Sequence, residues 1–228
     1  MLHLETIESD VLGLLKGIQQ NPVFDDARLV GGTALALQLG HRKSVDLDFF
    51  GQLHVEPLEI EQTLRAYGTV SITSRSRMIQ VYAVRGVKVD FGEYAYPWLD
   101  APVVVEGLRL ASFRDIAAMK LSAITNRGTR KDFVDLAFLL EPFTLDEMLT
   151  FYQHKYADAS MFPVLKGMTY FDDADEEPMP NMLLPCDWEV AKQKIIGAVA
   201  KSAHVVSRHS QLRRGAPVTS SDGRTGSR

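Results

Sequence analysis

The chain has 228 residues, 46% of them hydrophobic and 24% charged, which suits one large domain or two small ones around a buried core. No apolar run approaches the ~18 residues that span a bilayer, Met1–Glu5 has neither a basic lead nor an apolar core, and Cys186 stands alone, so the expectation is a soluble cytoplasmic protein without disulfide or thiolate metal cluster. The net charge of −4 divides unevenly: residues 201–228 hold six basic residues against Asp222, leaving about −9 on residues 1–200 and arguing against a general DNA-binding surface.

Leu4, Ile7, Val11, Leu14, Leu15 and Ile18 recur at helical spacing and predict an amphipathic helix over 3–20, ended by Asn21-Pro22. A short apolar entry, Arg28-Leu29-Val30, leads into Gly31-Gly32, and Thr33 to Leu39 reads as a helix closed by Gly40. Val45 to Phe50 alternates with period two and predicts a strand with Val45, Leu47 and Phe49 on its core face. Helix returns over 57–67, then strands near 69–75 and 78–84, a turn at Arg85-Gly86, a strand over 87–91, and a hairpin over 103–110 turning at Glu106-Gly107. Ser112 with Asp115 opens a helix to about Asn126; a second spans about 131–140, and Thr144 with Glu147 opens a third. Asp173 to Pro180 reads as an acidic loop, and residues 187–200 as a last helix. The expected organisation is α+β: an α/β domain over 1–111, a helical domain over 112–200, and a basic, disordered tail over 201–228.

The chemistry concentrates at Gly31-Gly32-Thr33, Asp46-Leu47-Asp48 and Asp90. On a strand Asp46 and Asp48 share one face, where two carboxylates repel each other unless a cation lies between them. Hard oxygen donors favour Mg²⁺. Asp90, flanked by Val89 and Phe91, leaves an apolar-backed strand in the same manner, so neighbouring strands would bring three carboxylates together for two-metal in-line transfer. The diglycine at a helix start permits close approach of phosphate to unpaired N–H groups, and Thr33 could add a hydroxyl. Alone, Gly-Gly marks a turn and Asp-x-Asp a solvated strand face; the ordered set at this spacing is the signal.

That set resembles the signature of the polymerase-beta-like nucleotidyltransferase superfamily. More closely, residues 31–50 (GGTALALQLGHRKSVDLDFF) and 115–140 (DIAAMKLSAITNRGTRKDFVDLAFLL) resemble the AbiEii/AbiGii nucleotidyltransferase toxins of abortive-infection systems, over roughly residues 25–145. The resemblance implies a nucleotidyltransferase-fold mixed sheet with flanking helices followed by a helical C-terminal domain. It also implies an NTP substrate, Mg²⁺ on Asp46 and Asp48 with Asp90 as a third ligand, and triphosphate on Gly31, Gly32 and Thr33. Lys120 would serve the phosphates, and a downstream acid would be either Asp132 or Asp135, with Asp135 preferred because Asp132 at a helix start could be only a cap. Arg42 and Lys43 would neutralise phosphate charge. The acceptor it implies is RNA, such as the 3′ end of tRNA, and the partner a separately encoded antitoxin. A protein or small-molecule acceptor, and a catalytically silent binding module, are the competing readings. Without the resemblance, Lys120 reads as a solvated helix lysine, Arg127 and Arg130 as loop charges, and Tyr94, Tyr96 and Trp98 as packing in preference to base stacking.

Overall fold

A computed structural model describes the chain through residue 214, with side chains through Ser202. The sheet is mixed and seven-stranded, in the order β3-β4-β5-β2-β1-β7-β6. Its strands are β1 (Arg28–Leu29), β2 (Leu47–Gly51), β3 (Val70–Arg75), β4 (Ile79–Val84), β5 (Val87–Glu93), β6 (Val103–Val105) and β7 (Leu108–Leu110). The central pair β2 and β5 run parallel, β1 is antiparallel to β2 and parallel to β7, and the outer hairpins are antiparallel. Both hairpin turns stand where the sequence puts them, with Arg85-Gly86 and Glu106-Gly107 at positive φ, the mirror-image turn that matches strand twist.

The helices are α1 (Ser9–Gln20), α2 (Gly31–Leu39), α3 (Pro57–Arg65), α4 (Phe113–Asn126), α5 (Arg130–Leu139), α6 (Leu145–Lys155), α7 (Met161–Gly167), α8 (Asp172–Glu176) and α9 (Trp188–Arg214). Ser112 caps α4 by accepting from Asp115 N–H, and Thr144 with Glu147 completes a capping box on α6, as their spacing predicts. Four expectations are corrected. Helix α2 begins at Gly31, two residues early, because the chain turns directly out of Val30. The Asp strand begins at Leu47, so Val45 is 58% exposed in a loop and has no core face. Within the expected acidic loop α8 forms, its Ala174 and Asp175 carbonyls accepting from the Arg130 guanidinium. Helix α9 runs past residue 200 into the expected tail, of which residues 215–228 lie outside the described residues.

Strand alternation divides the sheet. Leu29, Leu47, Phe49, Val89 and Phe91 point into a dry layer, where Phe91 stacks on Phe24 and Phe49 at centroid distances of 4.8 and 5.3 Å. Each such fully buried side chain contributes about 1.5–3 kcal/mol of transfer free energy. Asp48, Phe50, Lys88 and Asp90 occupy the opposite face, and α4 and α5 pack against α2 beside it. The core is continuous from α1 to α9, so helices and sheet fix one another across residue 111.

Candidate active site

Asp48 and Asp90 are paired directly across β2 and β5, about 4.8 Å apart along the backbone, as neighbouring strands must be. Asp90 Oδ2 accepts from Lys88 Nζ at 2.5 Å, while its Oδ1 is buried with no hydrogen-bond partner. Burial, then the Asp90 charge, raises the Asp48 carboxyl above its ordinary range. A buried carboxylate oxygen without a donor, facing a second carboxylate, is the donor set a hard divalent cation completes. The expected gathering of three carboxylates does not form: among the described residues no group of three or more acidic, His or Cys side chains is close enough to share an ion. Asp46 precedes the strand, its carbonyl held by the Thr33 hydroxyl and its carboxylate 3.6 Å from Lys131 Nζ.

Helix α2 delivers its N-terminus to this pair. Gly31 has φ +68°, and a Cβ there would lie 2.6 Å from Asp48 Oδ2, so only glycine fits on both grounds. No side chain caps α2, which leaves its first N–H groups and positive dipole end beside the carboxylates. Thr33 contributes its backbone only: its hydroxyl is turned inward to Ser44 Oγ at 2.7 Å and to the Asp46 carbonyl. Gly31→Ala is expected to lower transfer activity about 10²-fold by displacing Asp48 and to cost roughly 1–2 kcal/mol in left-handed backbone strain. Steady-state kinetics beside a thermal melt measures both, and unchanged turnover would remove Gly31 from the site.

Beneath the diglycine lies a buried ionic network. Asp135 is fully enclosed, accepting two hydrogen bonds from Arg42 (2.7 and 2.9 Å) and one from His41 Nε2 (2.8 Å), with Lys120 Nζ at 2.5 Å. Asp132, one turn earlier on α5, accepts from Lys120 (2.9 Å), Arg127 (3.0 and 3.3 Å) and the Thr129 hydroxyl (2.6 Å). Burial opposes these charges, yet Lys120 and Arg42 hold Asp135 well below the carboxylate range, and Lys120 and Arg127 do the same for Asp132. A Cβ on Gly32 would strike Arg42 Nη2, so the second glycine admits this network under the helix start.

The network corrects three expected roles. Arg42 spends its guanidinium on Asp135 and the Lys43 carbonyl, and is 4% exposed, so it cannot swing to a phosphate without stranding Asp135. Lys43 is paired with Glu8 at 3.0 Å. Asp132 and Asp135 have no exposed surface, so both act as anchors for cations, and the choice between them as a reacting acid falls away. Lys120 does line the cleft, with two of its three ammonium protons held by Asp132 and Asp135.

That cleft, ≈ 380 Å³, lies between the acidic face of the sheet and α4 and brings together Gly31, Asp48, Asp90, Lys120 and Arg127. A larger hollow of ≈ 590 Å³ between the start of α6 and α9 holds neither Asp48 nor Asp90, and the smaller cleft is the one with chemistry. Lys88, Arg127 and Lys131 belong to the site and were not assigned to it from sequence. Lys88 was legible there, two residues before Asp90 and hence on its face; Arg127 and Lys131 required the α4–α5 packing. Tyr94 and Trp98 pack around Lys155 Nζ (4.9 and 4.6 Å), and Tyr96 packs on Tyr156, so these rings join the sheet to α6 as packing.

Residues 13–204 match the family model described as nucleotidyl transferase AbiEii toxin, Type IV TA system. An uncharacterized protein of Aquifex aeolicus (strain VF5) is 35% identical over 161 residues, 68% of this chain and 78% of that one. Among solved structures, JHP933 from Helicobacter pylori is similar with a TM-score of 0.55 at 20% identity, over 91% of this chain and 98% of that chain. A putative nucleotidyltransferase from H. pylori gives 0.56 at 19% identity, over 87% and 94%. ANT(2")-Ia in complex with adenylyl-2"-tobramycin gives 0.50 at 15% identity, over 66% and 98%. At these identities the structural likeness is one of fold.

Proposed function

The chain belongs to the AbiEii nucleotidyltransferase toxin family, and from that premise we propose that it moves a nucleotide from an NTP onto RNA, with Mg²⁺, as the toxin of a toxin–antitoxin pair. The observation that carries the reading is Asp48 facing Asp90, with Asp90 Oδ1 unpartnered, beside the uncapped start of α2. Asp48 and Asp90 are the ligands, with Asp46 as a third carboxylate within electrostatic reach of Asp48. Mg²⁺ held there would supply charge neutralisation at the phosphates and would lower the pKa of the attacking hydroxyl. The backbone of Gly31 and Gly32 receives phosphate oxygens, and the third ammonium proton of Lys120 reaches the same group. The acceptor hydroxyl attacks the α-phosphorus and gives up its proton to water, a new P–O bond forms, and the bond to pyrophosphate breaks in line; the developing charge on pyrophosphate meets the helix start and Lys120.

The RNA acceptor and the antitoxin rest on family membership. No helix among the described residues is long and apolar enough to cross a membrane. Incubating the protein with each α-labelled NTP and either total RNA or total protein, with and without EDTA, is expected to label RNA and only without chelator. Expression in a bacterial host is expected to slow growth. Label confined to protein or small molecules would overturn the RNA acceptor while keeping the chemistry, and no label in any fraction would leave a binding module.

A further inference from the structure

Resting on the nucleotidyltransferase reading above, we infer that Arg127 is the arginine that grips the triphosphate, in place of the charge-neutralising part expected of Arg42 and Lys43. Several basic residues besides Lys120 lie around the site, and their partners and their place at the cleft separate them. Arg42 is buried and spent on Asp135. Lys88 gives one proton to Asp90 and Lys131 approaches Asp46, but neither lines the cleft, and Arg130, also outside it, supports the carbonyls of α8. Arg127 differs. Its Nε and Nη2 are fixed on the buried Asp132, its Nη1 has no partner among the described residues, and its side chain is 59% exposed where it borders the cleft. The Asp132 hydrogen bond, with smaller contributions from Asp48 and Asp46, favours the already charged guanidinium further.

The shape of the cleft gives the direction. Its α4 wall runs from Ile116 through Met119, Lys120 and Ala123 to Arg127 at the C-cap, eleven residue steps or about 16 Å at the helical rise. Phe50 of β2 and Tyr156 after α6 line the cleft near the start of α4, where Lys155 meets Asp115 and Tyr94 joins the two rings, whereas both lining cations, Lys120 and Arg127, follow toward the C-terminus of α4. A substrate with an uncharged ring system at one end and a polyphosphate at the other therefore lies along α4 with its phosphates at Arg127. A guanidinium pre-oriented by a buried carboxylate loses little rotamer freedom when it takes a phosphate. The free edge of the fork then points at a non-bridging oxygen, and Lys120 adds a point charge behind it.

The test compares Arg127→Ala, Arg127→Lys and Lys166→Ala with wild type, reading the KM for NTP and inhibition by inorganic pyrophosphate. Lys166 borders a separate hollow that also touches Arg127 but contains neither Asp48 nor Asp90, so its removal controls for lost charge. Arg127→Ala is expected to raise both KM and the pyrophosphate inhibition constant at least tenfold, Arg127→Lys to recover part of each, and Lys166→Ala to leave both within twofold. Thermal melts accompany the kinetics; a folded Arg127→Ala protein with wild-type affinity for pyrophosphate and NTP overturns the assignment while leaving transfer itself intact. If wild type neither binds nor turns over any NTP, the transferase reading and this inference fail together.

Discussion

Asp48→Asn is expected to lower nucleotide transfer by about 10³-fold or more, through loss of several kcal/mol of metal-dependent transition-state stabilisation, while leaving the ion-free protein as stable as wild type or more so. The two effects have one cause. Asp48 is fixed in register with Asp90 by the β2–β5 ladder, and neither carboxylate can turn away from the other without leaving the sheet face. Burial and the Asp90 charge raise the folded-state pKa of Asp48 above its unfolded value. An acid with a raised folded pKa contributes stability that is fully present below the unfolded pKa and lost as pH rises through the folded pKa. At neutral pH ionised Asp48 therefore works against folding, and the amide removes that penalty along with the cation ligand. Transfer assays at matched Mg²⁺ and NTP, with melts in EDTA, check both halves. Wild-type transfer by Asp48→Asn would sink the site, and a large fall in Tm would mean that Asp48 serves the fold.

Most of the architecture was legible because its signals are local. Hydrophobic period, the Thr144–Glu147 box and the Arg85-Gly86 and Glu106-Gly107 turns are each read within a few residues and depend little on the rest of the chain. The carboxylate pair was legible for a different reason: alternation fixes the face of Asp48 and of Asp90 once each lies on a strand. Alternation failed for Asp46 and Val45, since the rule holds only inside the ladder and the strand starts at Leu47. Partnership was hidden altogether. Arg42, Lys120 and Arg127 look alike in sequence as cations near a phosphate site; Asp135 and Asp132 each take the Nε–Nη2 edge of an arginine, and what separates Arg42 from Arg127 is that the Lys43 carbonyl takes the rest of Arg42 in a buried setting while Arg127 stays exposed. The meeting of α2, α4 and α5 fixes that distinction, and it joins residues up to 93 positions apart. The formation of α8 was likewise set by a tertiary partner, Arg130.

Asp135→Ala is expected to be the most destabilising single change in the site, costing about 3–5 kcal/mol, because it leaves Arg42, Lys120 and His41 enclosed with their shared acceptor gone. For a chain of this length that corresponds to a fall in Tm of roughly 10 °C. The two carboxylates of α5 are what permit three cations to gather beneath Gly31 and Gly32, so losing one also disorders the floor of the phosphate-binding turn. The sign with pH is fixed by the direction of the shift. Asp135 and Asp132 have folded-state pKa values below the unfolded 3.8, so they contribute stability that is present above 3.8 and lost as pH falls through their folded values. Wild type should therefore lose stability steeply below about pH 4, with Asp135→Ala less stable throughout and showing a shallower acid slope, since one depressed carboxyl no longer takes up a proton on unfolding. Removing the partner as well separates a strained charge from a missing contact: Arg42→Met combined with Asp135→Leu is expected to recover much of the lost stability and none of the activity. Denaturant melts across pH 3–7 on the wild type, the single variant and the double variant measure these slopes directly. A single variant that melts with wild type at pH 7 would mean that Arg42 and Lys120 find other acceptors, and the buried network would then have no part in holding the turn.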